Sequence, residues 1–190
     1  MAEARIAGRH FLQIPGPTNV PDRILRAIDR PTIDHRGPAF QALARRVLEG
    51  LRPIFGTTGP VVIYPATGTG AWEAALVNPL SPGEHLLIAE TGQFAWLWAE
   101  LARRLGFTVE LLPGDWRSGA AAAAIEARLV EDRARAIKAV GIVHNETSTG
   151  MASPIAQLKA AIDAAKHPAL LMVDTISSLG SLDFRMDEWG

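Results

Sequence analysis

The chain has 190 residues, 48% of them hydrophobic and 21% charged, with 19 Lys+Arg against 20 Asp+Glu. That length makes one domain, or part of a larger one, with ample material for a core. A formal net charge of −1 excludes the electrostatic footprint of a nucleic-acid binder, and the absence of cysteine excludes a disulfide scaffold and any thiolate metal site.

Residues 1–10 carry Arg5 and Arg9 with no apolar stretch behind them, unlike a secretory signal, and no later apolar run reaches bilayer length. The expectation is a cytoplasmic protein with neither nucleic acid nor membrane as a partner. Residues 13–21 hold three prolines in nine positions, which excludes helix and central strand and makes residues 1–20 an extended N-terminal segment. Residues 38–52 then place Phe40, Leu43, Val47, Leu48 and Leu51 on one helical stripe. From there apolar and amphipathic runs alternate. Strands are expected at 61–64, 85–89, 107–112, 139–143 and 169–173, and helices at 94–105, 120–133 and 154–166, with Gly106 as a left-handed cap. Four of the five strands are apolar nearly throughout, as in a parallel sheet covered on both faces. The β-α alternation predicts an α/β domain with right-handed crossovers over residues 21–190. The chain ends at Gly190 soon after a strand, so the sheet is expected to be incomplete at the C-terminus.

Three polar loops each follow an apolar strand. The first, Thr67-Gly68-Thr69-Gly70, lies between a strand and a helix, where free N–H groups and a positive helix end favour an anion; an ordinary tight turn is the alternative. It lacks the third glycine of a dinucleotide loop, because position 73 is Glu73, and no Gly-Lys-Ser/Thr occurs anywhere. The second is His144-Asn145-Glu146-Thr147-Ser148-Thr149-Gly150, a dense array of donors and acceptors. The third begins with Asp174, which at the carboxyl edge of a buried strand has three readings: a magnesium ligand, a cap for its own turn, or the partner of a ligand cation. Phe94, after Thr91-Gly92-Gln93, either turns a ring face to the same crevice or packs in the core, and Trp96 and Trp98 are assigned to packing. His35 stands beside Arg36, a residue suited to a carboxylate. His10, His85 and His167 read as surface or strand-end residues. No His/Asp/Glu spacing resembles a metal site.

These loops, in this order, resemble the class V aminotransferases among pyridoxal-phosphate enzymes of fold type I, and within them the enzymes that use glyoxylate. The resemblance rests on Pro15-Gly16-Pro17-Thr18, Asp34-His35-Arg36-Gly37, Thr67-Gly68-Thr69-Gly70, Glu90-Thr91-Gly92-Gln93-Phe94, the stretch from His144 to Gly150, and Asp174-Thr175-Ile176-Ser177-Ser178-Leu179-Gly180. It implies a three-layer α/β/α large domain with a mostly parallel sheet, pyridoxal 5'-phosphate as cofactor, and transfer of the amino group of serine or alanine to glyoxylate. Thr67, Gly68 and Thr69 would hold the phosphate, Phe94 would stack on the ring, and Thr147, or in its place Ser148, would bond the ring edge near its phenolic oxygen. Asp174 would pair with the ring nitrogen. Gly16 and Thr18 would border the substrate pocket, and His35 and Arg36 would lie near a site shared between the subunits of a homodimer. The family's Schiff-base lysine follows the aspartate, yet the only lysines are Lys138, Lys159 and Lys166, all ahead of Asp174. The resemblance therefore places that lysine beyond Gly190 and makes the chain the N-terminal fragment of the enzyme, inactive alone and without a catalytic residue of its own. Two alternatives stand beside it: a lyase of the same fold, similar to cysteine desulfurases, and a non-catalytic fragment acting only by association.

Overall fold

A computed structural model of the protein describes residue 8 and residues 11–190; the reading of residues 1–10 as lacking a leader, and of His10 as a surface residue, otherwise falls outside the described residues. The chain divides into two units between Arg45 and Arg46. In the N-terminal unit, residues 11–20 form neither helix nor strand, and the Leu12 N–H donates to the Asn19 side-chain oxygen at 2.8 Å. A short helix not foreseen in the sequence, α1 (Asp22–Ile28), follows Pro21, with Asp22 in its first turn and Arg26 in its last, the charge order that a helix dipole favours. Helix α2 (Pro38–Phe55) begins on a proline, whose missing N–H costs nothing at a first position, and runs three residues past the expected end.

The second unit is built on a four-stranded, all-parallel sheet of β1 (His85–Ala89), β2 (Thr108–Leu112), β3 (Ile137–Val143) and β6 (Leu170–Asp174), in the order β2-β1-β3-β6. Helices α3 (Gly68–Val77) and α4 (Gln93–Arg104) serve one face and α5 (Ala122–Glu131) and α6 (Ile155–Ala164) the other. The alternation of β1 decides this layering. Leu86 and Ile88 join Trp72, Leu76, Trp98 and Ala99 in one core, while Leu87 and Ala89 join Ile125, Leu129, Leu158 and Ile162 in the second. Each strand therefore has to be apolar on both sides, which is the pattern read from the sequence. Gly106 has φ of +88° after α4, as a left-handed cap requires. The loop after β3 is a tight antiparallel hairpin, β4 (Asn145–Glu146) with β5 (Met151–Ala152). A final turn of helix, α7 (Met186–Trp189), closes the chain.

Three expectations need correction. Residues 61–64 do not form a strand: Val62, Ile63 and Tyr64 are all more than half exposed, and no described segment runs beside them to supply a ladder. A β-propensity without a neighbour makes no strand. His167 is buried rather than on the surface. Its Nε2 lies 3.2 Å from Asp132 Oδ2 and its Nδ1 accepts the Ala169 N–H, so both ring nitrogens are used. Trp98 packs as expected, but Trp96 is exposed, because helix periodicity turns only one of the pair inward. Among the described residues no helix is long and apolar enough to cross a membrane.

Candidate functional site

All four strands of the parallel sheet end on the same edge, and the chain leaves β1 toward β2 on one side but reaches β3 on the other. Between the carboxyl ends of β1 and β3 lies the switch point at which open α/β sheets leave a crevice. The loops carrying Thr91 to Phe94, His144 to Gly150 and Asp174 to Gly180 all emerge there.

Helix α3 aims its N-terminus at this edge. Thr67 is the N-cap, extended at φ −93° and ψ 177°, and its hydroxyl makes no capping bond. The N–H groups of the first turn have no carbonyl four residues earlier to bind, so they remain available donors beside the Thr67 and Thr69 hydroxyls. A Cβ added at Gly68 would meet Ile176 Cγ1 at 3.6 Å, so the third loop lies directly against this cradle. One turn into the same helix, the Trp72 indole Nε1 donates to Asp174 Oδ2 at 2.8 Å. Asp174 is 8% exposed, and its other oxygen accepts the Ile176 N–H at 2.8 Å. The aspartate thus does cap its own turn, and it also stands on the same rim as the glycine-rich turn. Among the described residues no group of three or more His, Cys, Asp or Glu is placed to hold a metal ion.

Phe94 is half-buried at the start of α4, with its ring 6.4 Å from that of Trp72 at an interplanar angle of 64°. Its backbone is fixed by Glu146, which is fully buried and whose carboxylate accepts the N–H groups of Phe94, Ala95 and Ser148 and the Ser148 hydroxyl. A buried carboxylate at a helix N-terminus satisfies donors that the helix leaves open, and is itself stabilised by them. The Ser148 hydroxyl also accepts the Gln93 N–H at 3.0 Å, so it is committed to this cap. Thr147, half-buried in the hairpin turn, makes no side-chain bond among the described residues. Asn145 and Ser177 join the second and third loops by two hydrogen bonds, of 2.9 and 2.8 Å.

Thr67, Gly68, Thr69, Phe94, Thr147 and Asp174 accordingly sit at one sheet edge, at the N-termini of α3 and α4, in the β4–β5 turn and at the end of β6, with Phe94 and Asp174 each meeting Trp72 and Ile176 bridging to Gly68. Gly16, Thr18, His35 and Arg36 belong to the N-terminal unit, where all four are exposed; the Arg36 N–H donates to Asp34 Oδ1 at 2.9 Å. The three lysines lie elsewhere. Lys138 is near the amino end of β3, Lys159 pairs with Asp163 on α6, and Lys166 follows α6. Sequence reasoning missed Trp72 and Glu146 as parts of the site. Nothing in the chain links Trp72 to a carboxylate 102 positions on, and Glu146 reads as one more polar loop residue until the hairpin turns it inward.

His144 adds a pH dependence. It is 5% exposed, its Nδ1 has no hydrogen-bond partner among the described residues, and burial lowers its pKa from the ordinary 6.5. The unfolded chain then binds more protons just below pH 6.5, so this contribution to stability is complete above that pH and is lost as the pH falls through the lowered value. Thermal melts between pH 7.5 and 5 (a span of roughly that size brackets the ordinary value) are expected to show a smaller drop for His144→Gln than for the unaltered protein. Equal slopes would remove His144 as the source.

Comparison with known proteins bears on this arrangement. The model of the family described as Aminotransferase class-V matches residues 10–190. The serine–glyoxylate aminotransferase of Arabidopsis thaliana is 47% identical over 184 residues, covering 96% of this chain and 46% of the relative. The L-aspartate–glyoxylate aminotransferase of Paracoccus denitrificans is 48% identical over 178 residues, covering 93% and 45%. Among solved structures, an alanine–glyoxylate aminotransferase from Nostoc sp. superposes with a TM-score of 0.88 at 30% identity, covering all of this chain and 49% of that one. The chain spans about half the length of the curated relatives it matches.

Proposed function

The chain belongs to the class V aminotransferases, and we propose that it is the cofactor-binding part of a pyridoxal-phosphate enzyme that moves the amino group of serine or alanine to glyoxylate. Glyoxylate is common to the names of the three relatives, whereas the donor differs among them. The observation that carries the reading is the Trp72–Asp174 hydrogen bond, which ties a buried carboxylate to the helix whose N-terminus offers free donors.

The residues present fit this cofactor. Glycine at position 68 leaves open the space a Cβ would take beside Ile176, and Asp174 spends two acceptor positions of about four on the protein, leaving others for a ligand. Thr67, Gly68 and Thr69 hold the phosphate with hydroxyl and N–H donors at the positive end of α3. Asp174 keeps the ring nitrogen protonated, since a nearby carboxylate favours the cationic form. Phe94 covers a ring face, and Thr147 bonds the ring edge near its phenolic oxygen. When bound, pyridoxal phosphate supplies the electron sink for the pair released as the substrate Cα–H bond breaks. By the family resemblance, Gly16, Thr18, His35 and Arg36 would contribute to the substrate pocket. The lysine that anchors the cofactor and shuttles the proton is not among Lys138, Lys159 and Lys166, so it belongs to a further part of the enzyme. The enzyme works in the cytoplasm as a homodimer; the exposed Phe11, Ile28 and Ile33 of the N-terminal unit support a second subunit.

Titration of the 190-residue chain with pyridoxal phosphate, followed by circular dichroism in the cofactor's absorption band, is expected to saturate and to be reversed by inorganic phosphate. The same sample should form no keto acid from serine or alanine. Absence of saturable binding would overturn the cofactor assignment, and turnover would overturn the assignment of the lysine.

A further inference from the structure

We propose that Trp72 is a positioning residue for Asp174, its indole N–H and the Ile176 N–H clamping the two carboxylate oxygens in the plane in which the carboxylate meets the cofactor's ring nitrogen. This rests on the reading of Asp174 as that nitrogen's partner. The terminal torsion of an aspartate is soft and roughly two-fold, so a lone carboxylate at a strand end does not hold one orientation. Here each oxygen has its own donor at 2.8 Å, one from α3 and one from the loop after β6. Both donors are themselves fixed. The Ile176 N–H belongs to the turn that Asp174 caps, and the Trp72 ring lies stacked on Trp98, centroids 5.8 Å apart and planes 11° apart. Trp98 is 1% exposed, so the indole plane, and with it the direction of the N–H, is set by the core rather than by solvent.

The same ring touches Phe94 edge-on, so one side chain sets the position of two groups assigned to different parts of the cofactor: the one against the nitrogen and the one over the face. An indole donor also carries no charge. It stabilises the carboxylate by hydrogen bonding without competing with a ring cation for the role of counter-ion, as a lysine or arginine in that place would. Trp72 acts on the cofactor only through its neighbours, and the part of its contribution that passes through Asp174 depends on the ring having a nitrogen.

That dependence supplies the test. Dissociation constants are measured by the same dichroism titration for pyridoxal phosphate and for a carbocyclic analogue in which the ring nitrogen is a C–H group. Trp72→Phe, which keeps an aromatic ring against Trp98, is expected to weaken pyridoxal phosphate about tenfold, the size of a lost hydrogen bond to a charged group. It should leave the analogue's affinity unchanged. In an Asp174→Ala background, Trp72→Phe should cause no further loss for either compound. Equal losses for both compounds would mean that Trp72 serves only to pack the site, and no loss for either would mean that the clamp is not needed; each overturns the proposal. If the unaltered chain binds both compounds equally, the pairing of Asp174 with the ring nitrogen fails, and this inference fails with it. A loss that is additive with Asp174→Ala overturns the proposal while leaving the cofactor assignment standing.

Discussion

Asp174→Asn is expected to weaken retention of pyridoxal phosphate about 100-fold, the equivalent of ~2.7 kcal/mol and within the range for charge-assisted hydrogen bonds. Two effects act in the same direction. The substitution removes the anion that favours a protonated ring nitrogen. It also places an amide NH2 where the protein presents only donors: Trp72 Nε1 faces one oxygen and the Ile176 N–H the other, so either orientation of the asparagine sets a donor against a donor. At a position 8% exposed, water has little access to relieve that conflict, and the amide is expected to turn or shift. The loss of the anion should also appear in the cofactor's absorbance, because the band depends on whether the ring nitrogen is protonated. A titration with unchanged affinity and an unchanged spectrum would remove Asp174 from the site.

Gly92→Ala is expected to lower stability by about 3 kcal/mol, at the upper end for overpacking, and the melting temperature by roughly 10 °C. A Cβ at this position would overlap Glu146 Cγ and lie 2.6 Å from Ser148 Oγ and 2.7 Å from Glu146 Cδ. Neither neighbour can yield at small cost. Glu146 is fully buried and its carboxylate is occupied by the first N–H groups of α4, so moving it uncaps the helix. The same displacement carries Phe94, and cofactor affinity should fall along with stability. Gly50→Ala serves as the reference: it lies in α2, a Cβ there meets nothing within 4 Å, and the change should leave the melting temperature level or raise it. If the melts of Gly92→Ala and Gly50→Ala coincide, the account of the α4 cap is wrong.

The layered sheet was legible in the sequence because its strands are buried on both faces. Leu86 to Ala89 and residues 139–143 stay apolar at every second position and at the positions between, as a sheet with a core on each side requires. Residues 61–64 show where the same signal misleads: Val61, Val62, Ile63 and Tyr64 have the composition of a strand, but a strand also needs a partner for its hydrogen bonds, and partnership is not a local property. His167 misled for the opposite reason. A polar residue between a helix and a strand reads as surface until Asp132, 35 positions away, arrives to pair with it.

For the site, the chemical inventory was readable from the chain alone: a glycine-rich turn ahead of a helix, an aspartate at a strand end, a polar loop between them, and their order along the chain. Local composition suffices for that, because turn, cap and strand preferences act over a few residues. Which of these groups share an edge, and what holds them there, emerges on folding, since Trp72 and Asp174, or Glu146 and Phe94, are brought together by strand order and helix packing. The indole donor on the aspartate and the buried glutamate under α4 exist as features of the site because the fold removes them from water, where each would otherwise be satisfied by solvent and carry no positional information.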